Sequence, residues 1–302
     1  MTKLQGLTAA THAPFDADGE LNLPVVEKQA EQLLRDGVQA VFIAGSTGES
    51  HSLTVTERLA LAQRWVEVAK GSPLQVVVHV GSNCLADART LAEQAQKLGV
   101  AAIAALAPSY FKPATLETLV ECSRTVAAAA PGVPFYFYDI PSMTGVRFSM
   151  PDFLDVAVTR IPTLAGLKFS NPDLMSFQRC LHSQGGRFDV PFGMDEFLLA
   201  ALAVGGIGGV GSSYNFAAPI YRRMIAAFNK GDKGTARNEQ FRSVQIIHLL
   251  GEFGYQAASR AVMEMLGVPV GPPRLPFASL VPGKADELCE NLTRLGFFDW
   301  IK

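Results

Sequence analysis

The sequence predicts an α/β fold, a (β/α)₈ TIM barrel with a C-terminal helical extension, on the basis of three observations. Short apolar runs alternate with longer amphipathic segments, a pattern that indicates β–α units and a parallel sheet. There are eight such runs, which is the number of strands in a (β/α)₈ barrel. The chain has 302 residues, a length that such barrels fill as one domain.

The eight predicted strands are short and apolar, and they cover Gln5–Ala10, Ala40–Ala44, Gln75–Val80, Ala101–Leu106, Pro134–Ile140, Leu164–Phe169, Phe188–Phe192 and Gly206–Gly211. The first helices between them cover Leu23–Asp36, Thr54–Lys70, Leu85–Leu98 and Thr115–Ala130. Thr54-Val55-Thr56-Glu57 matches a capping box at the start of the second helix. An open doubly wound sheet is the competing fold, but it favours a glycine-rich turn after the first strand, where Ala9-Ala10-Thr11-His12-Ala13-Pro14 stands instead.

The barrel repeats end near Ser213, so the prediction divides the chain into a barrel over residues 1–215 and an extension over residues 216–302. The extension contains helical patterns over Ile220–Asn229, Thr235–Leu250 and Ala257–Leu266. Because their apolar stripes need a partner, we expect the extension to pack on the barrel as part of the same structural unit.

The composition argues against several classes of protein. The formal net charge of −2 provides no basic surface for nucleic acid or an anionic membrane. The apolar runs are too short to span a bilayer, and the first residues lack the pattern of a signal peptide. The four cysteines are far apart in the sequence, which favours a reducing compartment. We therefore expect a cytoplasmic protein with no membrane or nucleic-acid partner.

Lys168 is the residue that most strongly suggests a function. It lies near the end of the mostly apolar segment Leu164-Ala165-Gly166-Leu167-Lys168-Phe169-Ser170, which is typical of a buried strand. Burial removes water from the ammonium group and lowers its pKa, and a neutral amine can form a Schiff base with a carbonyl compound. The alternative is that Lys168 extends to water at the strand end, as many lysines do.

Other polar residues lie at the ends of predicted strands, where barrel active sites form. Gly45-Ser46-Thr47-Gly48-Glu49 follows the second strand, and its hydroxyl and N–H groups suit a carboxylate, although an ordinary turn would look the same. Strand alternation places Tyr136 and Tyr138 on one face of the fifth strand. A tyrosine hydroxyl near an amine can relay a proton, although core packing also explains such a residue.

The last two strands end in Gly193-Met194-Asp195-Glu196 and Gly211-Ser212-Ser213-Tyr214-Asn215. Adjacent carboxylates and hydroxyl groups suit a ligand with several hydroxyls, but acidic residues also stabilise a helix N-terminus. The five histidines have no metal-binding spacing, so we expect no metal site.

Four of these motifs occur in a characteristic order: GSTGE at 45–49, YxIPxxTG at 138–145, GLK at 166–168 and GxDE at 193–196. Together they resemble the dihydrodipicolinate synthase/N-acetylneuraminate lyase family of class I aldolases. The resemblance extends over almost the whole chain, as far as Gly271-Pro272-Pro273-Arg274-Leu275-Pro276.

The resemblance implies a cofactor-free Schiff-base aldolase that cleaves the sialic acid N-acetylneuraminate to N-acetylmannosamine and pyruvate. It implies that Lys168 is the nucleophile and that Tyr138 relays a proton, either through Thr47 or through the substrate carboxylate. Ser46 and Thr47 would hold the substrate carboxylate. The remaining substrate contacts implied by the family are Ser170, Gly193, Asp195, Glu196 and Ser212.

The resemblance also implies a homotetramer, a dimer of dimers, in which Tyr110 reaches towards the site of the neighbouring subunit. Three alternatives remain: an aldolase for another 2-keto sugar acid, a dihydrodipicolinate synthase-like enzyme, and a non-catalytic barrel that binds sugar acids. The synthase branch has an arginine two residues after the YxxP proline, where this chain has Met143. Met194 departs from the aromatic residue common at its position, and Asp139 has no assigned role.

Overall fold

The computed structural model describes residue 4 and residues 6–302. Within this part of the chain, seven parallel strands pair in the order β6-β5-β4-β3-β2-β1-β7. The strands are β1 Gly6–Ala10, β2 Ala40–Ile43, β3 Gln75–His79, β4 Ala102–Leu106, β5 Phe135–Asp139, β6 Leu164–Phe169 and β7 Gly208–Gly211. Each lies within two residues of a predicted strand, and Gln5, the predicted first residue of β1, lies outside the described residues.

The segment 188–192 lies between the two outer strands of this sheet. The backbone N–H of Asp189 donates to the carbonyl of Ala165 at 3.0 Å, and the N–H of Phe192 donates to the carbonyl of Gly208 at 3.2 Å. The segment therefore contacts both β6 and β7, and the sheet curls round on itself. This arrangement is consistent with the predicted (β/α)₈ TIM barrel.

The prediction of a regular strand over Phe188–Phe192 is wrong. Only isolated parallel bridges form there, from Asp189 to Gly166 and from Phe192 to Phe169 and Gly209. Pro191 lies between the bridged positions and has no N–H group to donate, so it interrupts a continuous ladder.

In the described residues, the helices follow the strands, with one or two after each of the strands β1–β6 and the remaining ones after β7. They are α1 Val25–Arg35, α2 Val55–Ala69, α3 Leu85–Leu98, α4 Leu116–Ala127, α5 Pro141–Thr144, α6 Met150–Ala157, α7 Leu174–His182, α8 Leu198–Ala203, α9 Tyr214–Asn229, α10 Lys233–Glu252, α11 Tyr255–Met265, α12 Lys284–Leu295 and α13 Phe297–Trp300. The capping box predicted for α2 is confirmed, because the Thr54 hydroxyl accepts from the Glu57 N–H and the Thr54 N–H donates to the Glu57 carboxylate.

Strand residues alternate between two apolar clusters. Phe42, Tyr136 and Tyr138 belong to a cluster inside the curled sheet, together with small residues such as Ala104. Phe135 and Phe137, which face outwards from β5, pack in a larger cluster between the strands and the helices. The alternation predicted for β5 is therefore confirmed.

The chain after β7 is helical. Helix α9 begins at Tyr214, directly after β7, and packs against β1 and α1, while α10 packs along α9. The predicted division between residues 215 and 216 falls inside α9, and the separate status of the extension stays a prediction.

Gly166 provides a test of how tightly segment 188–192 packs on β6. A Cβ atom at Gly166 would lie 1.6 Å from the carbonyl oxygen of Asp189, so Gly166→Ala must displace one of the two segments. We expect the free energy of unfolding, measured by urea denaturation, to fall by about 1–3 kcal/mol.

Gly251→Ala is the matched control, because Gly251 lies in α10 and a Cβ there meets no atom within 4 Å. Helix propensity should leave this variant unchanged or more stable by up to about 1 kcal/mol. Equal stability of the two variants would contradict the close packing.

Candidate active site

A cavity of about 1050 Å³ opens at the carboxyl-terminal ends of the strands. Parallel strands present these ends at one rim, which brings together residues from distant parts of the sequence. Every predicted site residue except Tyr110 lines this cavity, namely Ser46, Thr47, Tyr138, Lys168, Ser170, Gly193, Asp195, Glu196 and Ser212.

Lys168 lies in the wall of the cavity and is 4% exposed. Its Nζ atom is 3.9 Å from the ring centroid of Phe42 and 4.0 Å from that of Tyr138. Aromatic faces attract a cation but do not replace its full hydration. Burial accordingly lowers the pKa of Lys168, while Tyr138 and, more weakly, Asp195 act in the opposite direction. This environment favours a neutral amine able to attack a carbonyl carbon.

The loop after β2 places hydroxyl groups beside Tyr138. Ser46 Oγ lies 3.3 Å from the Tyr138 hydroxyl, and either atom can donate. Thr47, through which the predicted proton relay runs, also lines the cavity, and its carbonyl oxygen accepts a hydrogen bond from Gln256 Nε2 at 3.0 Å. The direct hydroxyl partner of Tyr138 in this structure is therefore Ser46.

A buried ion pair fixes the end of this loop. Arg260 Nη2 donates to Glu49 Oε1 at 2.5 Å, and both side chains are almost completely buried. The second carboxylate oxygen of Glu49 accepts from the Arg274 N–H at 2.9 Å. The attraction within a buried ion pair offsets the cost of desolvation only when such additional hydrogen bonds are present. The loop is thus anchored to the C-terminal part of the chain.

The two adjacent carboxylates after segment 188–192 have different surroundings. Asp195 Oδ2 accepts from both the N–H and the hydroxyl of Ser213, at 2.8 and 2.5 Å. Burial raises the pKa of Asp195, and the hydrogen bonds from Ser213 act in the opposite direction. Glu196 is half-buried, and burial raises its pKa as well. Since Asp195 is engaged with Ser213, Glu196 is the carboxylate better placed to accept a ligand hydroxyl.

Asp195 does not cap the following helix, which was the competing explanation for these acidic residues. Helix α8 begins only at Leu198, after a 3₁₀ turn over Asp195–Phe197. The carboxylate of Asp195 instead links this turn to the loop after β7.

Gly193 allows two strand ends to approach closely. A Cβ atom at this position would lie 1.9 Å from Ser170 Oγ, so a larger residue would displace Ser170 from the cavity wall. The glycine of the GxDE motif therefore has a steric role.

Several residues that line the cavity were not predicted from the sequence, and two of them, Tyr255 and Gln256 in the first turn of α11, contact predicted site residues. The Tyr255 hydroxyl lies 2.7 Å from Ser212 Oγ, and Gln256 holds the loop that carries Thr47. The predicted helix over Ala257–Leu266 began two residues too late. A correct start would have placed both side chains in a helical first turn, but no motif indicates that this turn meets the cavity.

Tyr110 lies away from the cavity in this single chain. Its side chain is 78% exposed, and its ring packs edge-to-face on Phe111, which is 85% exposed. The backbone N–H of Tyr110 donates to Asn83 Oδ1 at 3.1 Å. The two aromatic residues form an exposed apolar pair next to β4.

Residue 4 and residues 6–302 contain neither a metal-binding cluster nor a membrane-spanning helix. No group of three or more His, Cys, Asp and Glu side chains in this range is arranged to hold a metal ion. None of the helices in the same range is both long and apolar enough to cross a membrane.

The chain is similar to known proteins over almost its whole length. Residues 3–295 match the model of the dihydrodipicolinate synthetase family. The rat N-acetylneuraminate lyase is 41% identical over 278 residues, which is 91% of this chain and 87% of the rat protein. The structure of the Proteus mirabilis N-acetylneuraminate lyase is 40% identical with a TM-score of 0.95, and the match covers 98% of this chain and all of that chain. The N-acetylneuraminate lyase of Aliivibrio salmonicida is 42% identical with a TM-score of 0.95, over 98% of each chain.

Replacing Lys168 tests the cost of burying its ammonium group. Lys168→Met keeps an unbranched side chain but removes the charge, so we expect the variant to have a higher free energy of unfolding than the wild type at pH 7. Because the pKa of Lys168 is lower in the folded state, the unfolded chain binds more protons, and wild-type stability rises with pH. The difference between the two proteins should therefore shrink from pH 7 to pH 9.

Urea denaturation at both pH values measures this effect, with Lys112→Met at an exposed position as the control. A wild type more stable than the Lys168→Met variant at pH 7 would contradict the expectation that burial of the amine outweighs its contacts with Tyr138 and Phe42.

Proposed function

The chain belongs to the dihydrodipicolinate synthetase family, and we infer that it is a Schiff-base lyase, a sialic acid aldolase that cleaves N-acetylneuraminate to N-acetylmannosamine and pyruvate. The observation that carries this inference is the buried amine of Lys168, which lies in one cavity with the Ser46 and Thr47 hydroxyls and with Glu196. The relatives named N-acetylneuraminate lyase, about 40% identical over most of the chain, support the same substrate.

The substrate carboxylate binds first in this proposal. Ser46 and Thr47 supply hydroxyl groups at the cavity wall, and the loop that carries them is fixed by Gln256 and by the Glu49–Arg260 ion pair. A fixed loop holds the C2 ketone next to Lys168 without a loss of freedom at the moment of reaction.

The chemical steps then follow from the amine. Lys168 Nζ attacks C2 of the open-chain sugar acid, and loss of water leaves an iminium ion. When the C4 hydroxyl loses its proton, the C3–C4 bond breaks. Its electron pair converts the iminium to an enamine, while C4 becomes the aldehyde of N-acetylmannosamine. Protonation of the enamine at C3 and hydrolysis of the iminium release pyruvate and regenerate the lysine.

Tyr138 is the proposed proton relay. Its ring contacts the Lys168 ammonium, and its hydroxyl lies 3.3 Å from Ser46 Oγ. The Tyr138 hydroxyl is therefore next to Ser46 of the proposed carboxylate pocket, and Thr47 lines the same cavity. Both loop hydroxyls are candidates for passing on the proton of the substrate C4 hydroxyl.

The hydroxylated part of the sugar is assigned to the other side chains of the rim. Glu196 and Ser212 line the cavity, and Ser212 is held by the Tyr255 hydroxyl. Asp195 supports this region through Ser213. An aldolase for a different 2-keto sugar acid would also need Lys168, but it would need other side chains at the positions of Glu196 and Ser212. The identity of these two residues therefore distinguishes the two activities.

The remaining alternatives are less well supported. Met143 lines the cavity where the synthase branch has an arginine, and a thioether cannot pair with a second carboxylate. A non-catalytic sugar-acid receptor has no chemical need for a buried lysine beside a tyrosine hydroxyl.

We further propose a homotetramer, a dimer of dimers, in which Tyr110 approaches the site of a neighbouring subunit. Tyr110 and Phe111 expose a large apolar area in the single chain, and a subunit interface would bury it. Residues 216–302 are proposed to be an extension of the barrel within one structural unit, since α9 packs on β1. A cytoplasmic location remains a prediction from the widely spaced cysteines.

Borohydride trapping separates the roles of the two central residues. Lys168→Ala should lose both the pyruvate adduct and N-acetylneuraminate cleavage. Tyr138→Phe should keep the adduct but lose about 10²–10⁴-fold in kcat, since only proton transfer is removed. Mass mapping of the reduced protein locates the adduct, and Lys112→Ala is the control for an exposed lysine. An adduct on another lysine, or normal turnover by Tyr138→Phe, would refute the respective assignment.

A second pair of variants separates the carboxylate pocket from the sugar-binding rim. Thr47→Ala should weaken both pyruvate adduct formation and N-acetylneuraminate cleavage, because both ligands present a carboxylate. Glu196→Ala should weaken only cleavage, because pyruvate has no hydroxylated chain. Loss of one such hydrogen-bonding partner typically costs about 1–3 kcal/mol. If Glu196→Ala depressed both measures equally, its carboxylate would have a structural role instead.

A further inference from the structure

We propose that His79 is a positioning residue for the carboxylate pocket, because its ring N–H holds the carbonyl oxygen of Ala44 and so fixes the turn that carries Ser46 and Thr47. His79 does not line the cavity and acts only through other residues. The inference rests on the proposed function, since it concerns the loop that would bind the substrate carboxylate.

The hydrogen bond from His79 has a defined direction. His79 ends β3 and is completely buried, and its Nδ1 atom lies 3.0 Å from the carbonyl oxygen of Ala44. A carbonyl oxygen only accepts hydrogen bonds, so Nδ1 carries the hydrogen. Burial and the nearby Arg58 hold the pKa of His79 well below its usual value, so the ring is neutral. Ser50 Oγ lies 3.2 Å from the same nitrogen and can act as a second acceptor. Arg58 Nη2 is farther from Nδ1, at 3.4 Å, and can only donate, so it makes no hydrogen bond to Nδ1 in this tautomer.

Ala44 has a backbone conformation that needs support. Its φ of 54° lies in the left-handed region, which residues other than glycine rarely adopt. The turn continues through Gly45, where a Cβ atom would lie 2.5 Å from the Phe42 ring. The Ala44 carbonyl is the group whose orientation sets the direction of this turn, and His79 is hydrogen-bonded to it.

The same imidazole ring supports the aromatic wall around the amine. It packs edge-to-face on Tyr138, with a centroid distance of 5.8 Å and an interplanar angle of 86°, and it lies 6.0 Å from the ring of Phe42. These two rings are the ones that contact Lys168 Nζ. His79 thus touches the loop on one side and the rings beside the nucleophile on the other.

Arg58 keeps His79 itself in place. Its Nη2 atom donates to the His79 carbonyl at 2.7 Å, and its Nη1 atom donates to the Gly81 carbonyl at 2.9 Å. Arg58 is buried in α2, so the end of β3 is tied to a rigid helix. The hydrogen bond to Ala44 therefore starts from a fixed point, which is what a positioning role requires.

The test compares two amides that place their N–H groups differently. His79→Asn puts an amide nitrogen near the position of Nδ1, whereas His79→Gln puts it near Nε2. We expect His79→Asn to need a pyruvate concentration for half-maximal borohydride trapping within about 3-fold of the wild type. His79→Gln and His79→Leu should need at least about 5-fold more, because the Ala44 carbonyl loses its donor.

Ala44→Gly provides the second measurement. Glycine adopts the left-handed conformation without support, so His79→Leu combined with Ala44→Gly should recover part of the lost pyruvate affinity. Thermal unfolding of each variant identifies any that fail to fold, and the Asn and Gln pair then decides the question. In N-acetylneuraminate turnover, KM should rise more than kcat falls.

The outcomes separate this inference from the proposed function. If the wild type traps no pyruvate at all, the proposed function fails. If the wild type traps pyruvate but folded His79→Leu, His79→Gln and His79→Asn have the same half-saturation as the wild type, the positioning role is wrong. A fall in kcat with unchanged half-saturation would also overturn it.

Discussion

The burial of one amine is the constraint on which the rest of the site depends. Lys168 lies one residue before the end of β6 and is almost completely buried, with its amine against two aromatic rings, so its charged form is disfavoured. The proposed function uses this amine together with its neighbours in the cavity: the loop hydroxyls of Ser46 and Thr47 would hold a ligand next to it, and Tyr138 would move a proton. Gly166 and Gly193 have no side chain, which allows Asp189 to pack closely on the first and Ser170 on the second.

Most of the fold could be predicted from local patterns. Apolar runs separated by amphipathic helices located seven strands, and the capping box at Thr54 located the start of α2. The strand over Phe188–Phe192 was wrongly predicted because only the apolar character of the segment was considered. Such a run identifies a buried segment, but the missing N–H of Pro191 determines whether a continuous ladder forms. The start of α9 at Tyr214 was also missed, because the polar residues after β7 were taken only as a loop.

The candidate site was predictable to the extent that its residues lie at strand ends. Lys168, Tyr138 and the GSTGE loop follow from the rule that barrel sites form at one rim, and the family resemblance added the roles of the others. Tyr255, Gln256, Arg260 and His79 could not be found in this way. Each contacts a residue that is distant in the sequence. A single sequence does not indicate which distant residues are in contact.

The ion pair between Glu49 and Arg260 joins residues 211 positions apart, which has a consequence for how the protein is made. A ribosome synthesises Glu49 and the whole of the strand scaffold long before Arg260 emerges. Until then the loop after β2 has its contact with His79, but not its contacts with Gln256 and Arg260. The seven strands are therefore all synthesised before the helix α11 that anchors the proposed carboxylate pocket.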